Sequence, residues 1–383
     1  MQNDKSHKII RVIVSGFTAN YGGVETFLYQ HYSHMDHNKV HIDFLTHVKN
    51  PAYKNEIEKM GGRFFYIPVR NKSPFRYRQA MKAFFQQHAE EYDVFWCNKC
   101  MLNNIDFLKY ATKYNIPIRI LHSHNSSNMD TGIKGRVMEL MHKHNKRRIK
   151  SYVTEYWVCS DYAAKWLLPT DVYEKRQYTF IPNAVSAEKF RTNAKVREQM
   201  RKQLGVEEKY VIGHVGRFNY QKNHEFLIRI FQIVYEKNPN SELILVGTGE
   251  LEDTVKQQVR ELGLEKAVHF LGVRHDIPEL MQAMDCFVLP SRFEGLPVVA
   301  VEAQAAGLPC VLASDGITEQ VKIIDNVSFL KLDQSVDEWA KEIMEKELKR
   351  VDSYLVLKEK GFNMEEAANK MSERLVVMKN KLL

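Results

Sequence analysis

VIGHVG at 211–216 and ELILVG at 242–247 begin a series of short apolar runs that continues with AVHFLG (267–272), CFVLPS (286–291) and PCVLAS (309–314). Segments with helical spacing, such as HEFLIRIFQIVYEKN (224–238), separate these runs. Near-continuous apolar strands that alternate with helices are typical of a parallel sheet with crossover helices. We therefore predict a doubly wound α/β domain whose ligands bind at the carboxyl ends of its strands.

The first half of the chain repeats this alternation less regularly, with strand-like runs from IIRVIVSG (9–16) to EYWVCS (155–160). The chain has 383 residues, which is more than one ordinary core accommodates. We predict two Rossmann-like doubly wound domains that face a central cleft, an N-terminal domain at 1–185 and a C-terminal domain at 186–363. An amphipathic helix at about 364–383 is expected to pack back on the first domain.

Composition excludes several classes of protein. With 44% hydrophobic and 27% charged residues, the chain is neither fibrous nor disordered. No charge-free apolar stretch is long enough to span a bilayer and the first residues do not resemble a signal peptide, so we expect a cytoplasmic protein. Five cysteines, sparse and mostly in apolar runs, indicate reduced thiols.

Positive charge is concentrated in the first half. Residues 1–180 hold 27 Lys and Arg against 16 Asp and Glu, whereas the remainder holds 28 against 31. The densest basic run, at 142–150, could meet ligand phosphates, an anionic bilayer or nucleic acid, or it could be a solvated helix face. Nucleic acid is disfavoured because no familiar binding module is present. We expect peripheral contact with an anionic membrane through 143–150 and the aromatic, basic helix at 75–85. For the helix at 75–85, ordinary packing with the basic side chains extending to solvent is the alternative.

The segment at 290–309, PSRFEGLPVVAVEAQAAGLP, leads from a strand end into a helix. The backbone amides of Gly295 and Leu296 are expected at the helix start, where free N–H groups favour a diphosphate. Glu294 then stands at the end of the strand. Glu302, eight residues later, is placed to accept hydrogen bonds from a ribose diol.

A second cluster, VGRFNYQKNHEF, follows the first strand of the C-terminal domain. Gly216 allows a sharp exit from the strand. Arg217 offers a planar fork of donors and Lys222 a point charge, so that both could bind one diphosphate.

Two further candidates lie in the N-terminal domain. Gly22 and Gly23 follow a strand and precede a helix, which permits close backbone approach to a ligand. His122 and His124 lie at another strand end, where one of them could contact a sugar hydroxyl or move a proton. We expect no shared metal at this pair and expect one of the two histidines to be structural.

Missing motifs narrow the chemistry. VGTGELE has Glu252 where a dinucleotide fingerprint has its third glycine, and the chain holds no P-loop. It also lacks the D-x-D pair that holds a divalent ion on a sugar nucleotide, so we expect no metal at the site and positive charge from Arg217 and Lys222 instead.

Together these motifs resemble the retaining glycosyltransferases of the GT-B fold, family 4, especially their bacterial exopolysaccharide and capsule members. The resemblance covers nearly the whole chain, through YGGVET, HSHN, IPNAV, GRFNYQKN and FEGLPVVAVEAQAAGLP. It implies that Glu294 and Glu302 contact the donor sugar and ribose, and that Arg217 and Lys222 hold the diphosphate.

Further site residues follow from the same resemblance. Val273 and Arg274 would border the base, and Gly22 and Gly23 would line the donor pocket. His124 is favoured weakly over His122 as the family histidine. Many members read E-G-F-G where this chain has E-G-L-P, so Leu296 and Pro297 would shape the sugar pocket differently.

The activity implied is hexosyl transfer, with retention of anomeric configuration, from a nucleotide sugar (a UDP-sugar by preference) to a lipid-linked oligosaccharide acceptor. No cofactor is expected beyond the nucleotide-sugar substrate. The alternative is a nucleotide-sugar epimerase or another nucleotide-sugar-binding protein of this fold. The sugar, linkage, pathway and oligomeric state stay open at this point.

Overall fold

The computed structural model describes residues 9–128 and 132–382. The chain divides into two compact units, Met1–Pro182 together with Met364–Leu383, and Asn183–Asn363. Residues 183–185, which we predicted to end the first domain, belong to the second unit. The reason is local: the Val185 amide donates to the Phe362 carbonyl at 2.9 Å, and the Asn183 side-chain amide donates to the Leu296 carbonyl at 2.6 Å.

The first unit is built on a parallel sheet. Its strands in the described residues are β1 (Ile10–Phe17), β2 (Val40–Thr46), β3 (Phe64–Tyr66), β4 (Val94–Lys99), β5 (Ile118–Ser123), β6 (Glu155–Val158) and β7 (Thr179–Phe180). They lie in the order β3-β2-β1-β4-β5-β6-β7, so the direction of winding reverses between β1 and β4. The helices of this unit are α1 (Gly23–His34), α2 (Lys54–Lys59), α3 (Pro74–His88), α4 (Asp106–Lys113), α5 (Gly132–Arg148), α6 (Asp161–Leu167), α7 (Thr170–Glu174) and, at the C-terminus, α16 (Met364–Asn380).

Helix α16 packs on the first unit. Its Ala368, Met371 and Leu375 are buried in one cluster with side chains of β1 and of α1. These residues recur at helical spacing, which is why the segment forms a single amphipathic helix.

The second unit repeats the architecture. Its strands are β8 (Tyr210–Val215), β9 (Ser241–Val246), β10 (Val268–Phe270), β11 (Cys286–Leu289), β12 (Cys310–Ala313) and β13 (Val327–Leu330), and they lie in the order β10-β9-β8-β11-β12-β13. Its helices are α8 (Ala187–Phe190), α9 (Ala194–Leu204), α10 (His224–Lys237), α11 (Glu252–Glu261), α12 (Ile277–Ala283), α13 (Val298–Ala305), α14 (Val336–Met344) and α15 (Tyr354–Glu359). The central strands are buried along their length, as their unbroken apolar sequences require. The predicted pair of doubly wound parallel-sheet domains is confirmed.

Sequence reasoning missed some elements and misjudged one helix. Helix α9 lies in a stretch whose polar composition hid it, and the Asn193 side chain caps it by accepting the amides of Lys195 and Val196 at 3.1 and 3.2 Å. In α3, Phe84 and Phe85 are buried in the core, so the aromatic half of that helix is not a surface for membrane contact.

Candidate active site

The two loops with the most informative motifs follow adjacent strands of the second sheet. Strand β8 leads into 216–222 and β11 leads into 290–297. Strand order reverses between β8 and β11, so the crossover connections diverge there. In open α/β sheets such a point leaves a crevice outside the carboxyl ends of the strands, where ligands bind.

Lys222 and Glu294 form an ion pair at this point. Lys222 Nζ lies 2.7 Å from Glu294 Oε1, and the two side chains are only 14% and 9% exposed. Gln221 completes the cluster, because its Nε2 donates to Glu294 Oε2 at 3.1 Å and to the Phe293 carbonyl at 2.8 Å. We predicted that Lys222 and Glu294 bind separate parts of a donor, whereas in the structure they contact each other directly.

Hydrogen bonds hold the two loops against each other. The Asn223 side-chain amide donates to the Pro290 carbonyl at 3.1 Å, and the Arg292 amide donates to the Gln221 carbonyl at 2.8 Å. A third segment joins them, since the Glu294 amide donates to the Gly316 carbonyl at 2.7 Å. The charged pair is therefore mounted on fixed backbone.

Glycines permit this close packing. A Cβ atom on Gly316 would lie 2.3 Å from the Ser291 carbonyl oxygen, and one on Gly216 would lie 3.0 Å from Lys222 Cε. A side chain at position 316 would push backbone apart, whereas one at position 216 would displace the Lys222 side chain by a few tenths of an ångström.

Glu302 lies in the second turn of α13 and is partly exposed. Burial raises the pKa of its carboxyl to about 7, and the nearby charge of Lys222 opposes the shift. The group is thus close to half ionised at neutral pH. Hydrogen-bond donors from a ligand would favour the carboxylate.

Gly295, Leu296 and Pro297 are buried between Glu294 and α13. The prediction that Gly295 and Leu296 stand at the helix start is wrong in detail, because α13 begins at Val298, with Pro297 as the residue before it. Proline supplies no N–H there. The Gly295 and Leu296 amides nevertheless donate to no group in the part of the chain that the structure describes.

Three predicted donor-site residues lie outside this cluster. Arg217 pairs with Glu250, with 3.0 Å between Nη2 and Oε2, and both side chains are more than half exposed. Arg274 pairs with Asp276, and Val273 is 61% exposed. These side chains are available to a ligand but do not contact Lys222 or Glu294 in this structure.

In the first unit, only Gly22 precedes α1, as its N-cap residue, whereas Gly23 is the first residue of the helix. Beside them lies a buried carboxylate, Glu25, which we did not predict. Glu25 accepts hydrogen bonds from the Thr18 amide at 3.1 Å and the Thr18 hydroxyl at 2.5 Å. A Cβ atom on Gly22 would lie 2.8 Å from Glu25 Oε2, whereas one on Gly23 would meet nothing within 4 Å. A side chain at position 22 would therefore displace the Glu25 carboxylate from its present position.

The two histidines at the end of β5 differ in environment. His122 is fully buried, with its ring 5.9 Å from that of Trp96, and neither ring nitrogen has a partner in the described residues. His124 is partly exposed, and its Nε2 donates to Asn98 Oδ1 at 2.7 Å. Burial lowers the pKa of His124 to about 3 and that of His122 well below its usual range, so both are neutral. Of the two, only His124 presents surface to a ligand.

Sequence analysis also missed Gln221 and Asn98, which orient Glu294 and His124. The available signal was position alone, because Asn98 lies near the carboxyl end of β4 and Gln221 lies in the loop that follows β8. In 9–128 and 132–382, no group of three or more His, Cys, Asp or Glu side chains could hold a metal ion. Among the same residues, no helix has both the length and the apolar composition needed to cross a bilayer.

Comparison with known proteins supports one family for this chain. Residues 196–364 match the family model for glycosyl transferases group 1. The chain is also 34% identical to a putative glycosyltransferase, EpsF, of Bacillus subtilis over 347 residues, which cover 89% of this chain and 88% of that protein. The protein belongs to the group 1 glycosyltransferases. The resemblance predicted from its motifs is confirmed.

A second relative covers a smaller part of this glycosyltransferase. It is the UDP-Gal:alpha-D-GlcNAc-diphosphoundecaprenol alpha-1,3-galactosyltransferase of Escherichia coli, 38% identical over 35% of this chain and 36% of its own length. Among solved structures, Anabaena HepE in complex with UDP and glucose superposes with a TM-score of 0.69 at 19% identity, covering 97% of this chain and 98% of that one. WaaG, a glycosyltransferase involved in lipopolysaccharide biosynthesis, superposes with a TM-score of 0.64 at 16% identity, with 97% and 98% of the two chains covered. The glycosyltransferase thus has the GT-B fold.

Proposed function

We propose that this enzyme transfers a hexosyl group from a UDP-sugar to a hydroxyl of a lipid-linked oligosaccharide, with retention of configuration. The observation that supports this proposal most strongly is the largely buried Lys222–Glu294 pair, which lies where strand order reverses between β8 and β11. We place the enzyme in family 4, in exopolysaccharide or capsule biosynthesis at the cytoplasmic face of the membrane.

In the proposed donor complex, the ribose hydroxyls bind Glu302 and the diphosphate binds Lys222. The free amides of Gly295 and Leu296 add donors beside it. Arg217 leaves Glu250 for phosphate, and Arg274 leaves Asp276 for the base. UDP is favoured as the nucleotide because the Escherichia coli relative is named for UDP-Gal and HepE was solved with UDP.

Lys222 changes partner in this proposal. In the free enzyme its charge is neutralised by Glu294, whereas in the complex it faces the diphosphate and Glu294 receives sugar hydroxyls. As the glycosidic bond to the diphosphate breaks, negative charge develops on the departing oxygen. A preorganised cation there is worth about 3 kcal/mol of transition-state stabilisation.

The acceptor hydroxyl attacks from the face that the diphosphate leaves, and the departing phosphate accepts its proton. No side chain is assigned as a covalent nucleophile. His124 is neutral, and because its Nε2 donates to Asn98, its Nδ1 is the atom that accepts a hydrogen bond from a sugar hydroxyl. We propose that neither a cofactor nor a divalent metal takes part.

The test is nucleotide release from a panel of UDP-, GDP- and ADP-sugars, with and without a polyprenyl-diphosphate-linked saccharide. We expect release from one UDP-sugar, stimulated by the acceptor and unchanged by excess EDTA. Product analysis by NMR then reads the anomeric configuration.

Three results would contradict parts of the proposal. Activity that EDTA abolishes and magnesium or manganese restores would reject the metal-independent mechanism. Release from GDP- or ADP-sugars alone would reject UDP. Conversion of the UDP-sugar to its epimer, with no transfer to any acceptor, would reject the transferase assignment.

A further inference from the structure

Helix α5 carries its aliphatic side chains on the outside. Ile133, Val137 and Leu140 are 82%, 51% and 68% exposed, and the neighbouring Met141 is 38% exposed. Spacings of four, three and one residues place all of them on one face. We call these four residues the α5 apolar row. A surface helix normally turns such a stripe inward, so an exposed one marks an interaction surface.

The opposite face of α5 is already occupied. Gly135 and His142 are buried, and the His142 ring stacks on Trp166 with 4.2 Å between centroids. The Leu102 amide donates to His142 Nδ1 at 3.1 Å, and Lys146 Nζ donates to the Trp166 carbonyl at 2.8 Å. The helix is therefore fixed to its unit by its inner side, and the apolar row is not a core face that lost its partner.

Positive charge borders the row. Residues 132–148 hold six Lys or Arg and one acid, Glu139, which pairs with Lys143 at 2.8 Å. Arg136, Arg147 and Arg148 are exposed. Of the basic run singled out in the sequence, Lys146 is bound to backbone carbonyls and Lys150 to Asp171, so these two do not belong to the free surface.

A groove of about 370 Å³ lies beside the row. Leu140 and Met141 form part of its wall, with Arg70 and Lys109 among the other lining residues. Arg70 is held by Asp106 at 3.1 Å. Apolar and cationic groups thus alternate over a surface wider than the helix itself.

We propose that α5 docks this enzyme on an anionic lipid bilayer, with the apolar row in the interfacial region and Arg136, Arg147 and Arg148 on head-group phosphates. Charge decides between a bilayer and a second copy, because a symmetric dimer through this face would bring two strongly positive helices together. A bilayer with anionic lipids supplies both the apolar phase and the negative charge. The proposal rests on the proposed function in that a lipid-linked acceptor requires the enzyme at a membrane.

The experiment is vesicle flotation of the full chain with neutral phosphatidylcholine and with mixed phosphatidylcholine–phosphatidylglycerol. Wild type should bind the mixed vesicles only, and less at high salt. The triple variant Ile133→Gln/Val137→Gln/Leu140→Gln should lower the partition coefficient roughly 100-fold. Arg147→Ala/Arg148→Ala should lower it about 25-fold. The matched control is Leu355→Gln, since Leu355 is 67% exposed on α15 of the other unit and should change nothing.

A gain-of-signal variant guards against misfolding. Leu140→Trp should show a blue-shifted emission on mixed vesicles and none on neutral ones. Equal binding of wild type and the triple variant would overturn the proposal, as would equal binding to the two kinds of vesicle or no binding to either. Self-association that the triple variant abolishes, without vesicle binding, would assign the row to a second copy instead.

Nucleotide release without vesicles separates this proposal from the proposed function. The triple variant should release nucleotide at the wild-type rate, because the row lies outside the donor site. Vesicle binding by a wild type that releases no nucleotide would leave the docking surface standing and reject the transferase assignment.

Discussion

We predict that variants of the Lys222–Glu294 pair will change stability and turnover in different ways. Three variants are compared: one without the Lys222 charge, one without the Glu294 charge and one without either charge. Lys222→Met keeps the aliphatic stem and leaves the Glu294 carboxylate with Gln221 as its remaining side-chain partner. Glu294→Gln keeps the shape and an oxygen that can still accept from Lys222. The double variant has no buried charge in the cluster.

The magnitude follows from burial. Both side chains are nearly enclosed, and removal of one partner of a buried pair costs about 3–5 kcal/mol. Because Gln221 still donates to Glu294, we expect the lower end, about 3 kcal/mol for Lys222→Met. For a unit of this size that lowers the unfolding temperature by roughly 6–12 °C. The double variant should recover most of this loss, since an uncharged pair has no buried charge to solvate.

Unlike stability, turnover should not recover in the double variant. Each single variant loses a preorganised electrostatic group, so nucleotide release should fall at least about 100-fold. The double variant should be as inactive as the singles despite its recovered stability. The matched control is Lys256→Met, which removes the partner 2.6 Å from Glu252 on α11, a more exposed pair; it should cost about 0.5 kcal/mol or less and leave turnover unchanged.

Two measurements on the same preparations test these expectations. Circular dichroism gives the unfolding temperature, and nucleotide release gives turnover. Recovery of turnover in the double variant would show that the pair only holds the loops together. A folded single variant that keeps more than about a third of wild-type turnover would remove the pair from the donor site.

Three other predictions concern pH and packing. Affinity for a UDP-sugar, measured by calorimetry, should fall by up to about tenfold per pH unit below 7, because in the proposed complex the Glu302 carboxylate accepts the ribose hydroxyls and its pKa is about 7. An affinity for Glu302→Gln that varies with pH as wild type does would refute this. The free energy of unfolding should fall as the pH drops below about 6.5, because the folded-state pKa of His122 lies under its unfolded value. The variant His122→Phe should reduce the slope of this free energy against pH by about 1.4 kcal/mol per pH unit. Identical slopes for the two proteins in urea titrations would contradict the buried, unpartnered imidazole. Gly316→Ala should lower both the unfolding temperature and the donor affinity, since its Cβ would lie 2.3 Å from the Ser291 carbonyl oxygen. A variant with the wild-type unfolding temperature and donor affinity would show that the loop after β11 shifts without loss of stability or binding.

Most of the fold could be predicted from the sequence because buried parallel strands leave a strong local signal. Their apolar runs are unbroken, and the helices between them keep a regular spacing. Weak elements escaped: β13 reads VSFL at a sheet edge, and α9 depends on the Asn193 cap rather than on an apolar stripe. Their existence depends on tertiary partners or on one hydrogen-bonded residue.

The candidate site was only partly predictable. Strand-end motifs placed Lys222 and Glu294 near each other because adjacent carboxyl ends meet at one edge of a sheet. Their direct pairing depends on backbone hydrogen bonds between loops, which no local pattern encodes. The exposure of Phe75 against the burial of Phe84 and Phe85 likewise depends on how α3 rests on the core.

A crystal structure of the enzyme with UDP tests the central claim most directly. We expect the diphosphate within hydrogen-bond distance of Lys222 Nζ and the ribose hydroxyls on Glu302, with the Lys222–Glu294 contact lengthened from 2.7 Å. UDP bound away from the carboxyl ends of β8 and β11, with that contact unchanged, would contradict it.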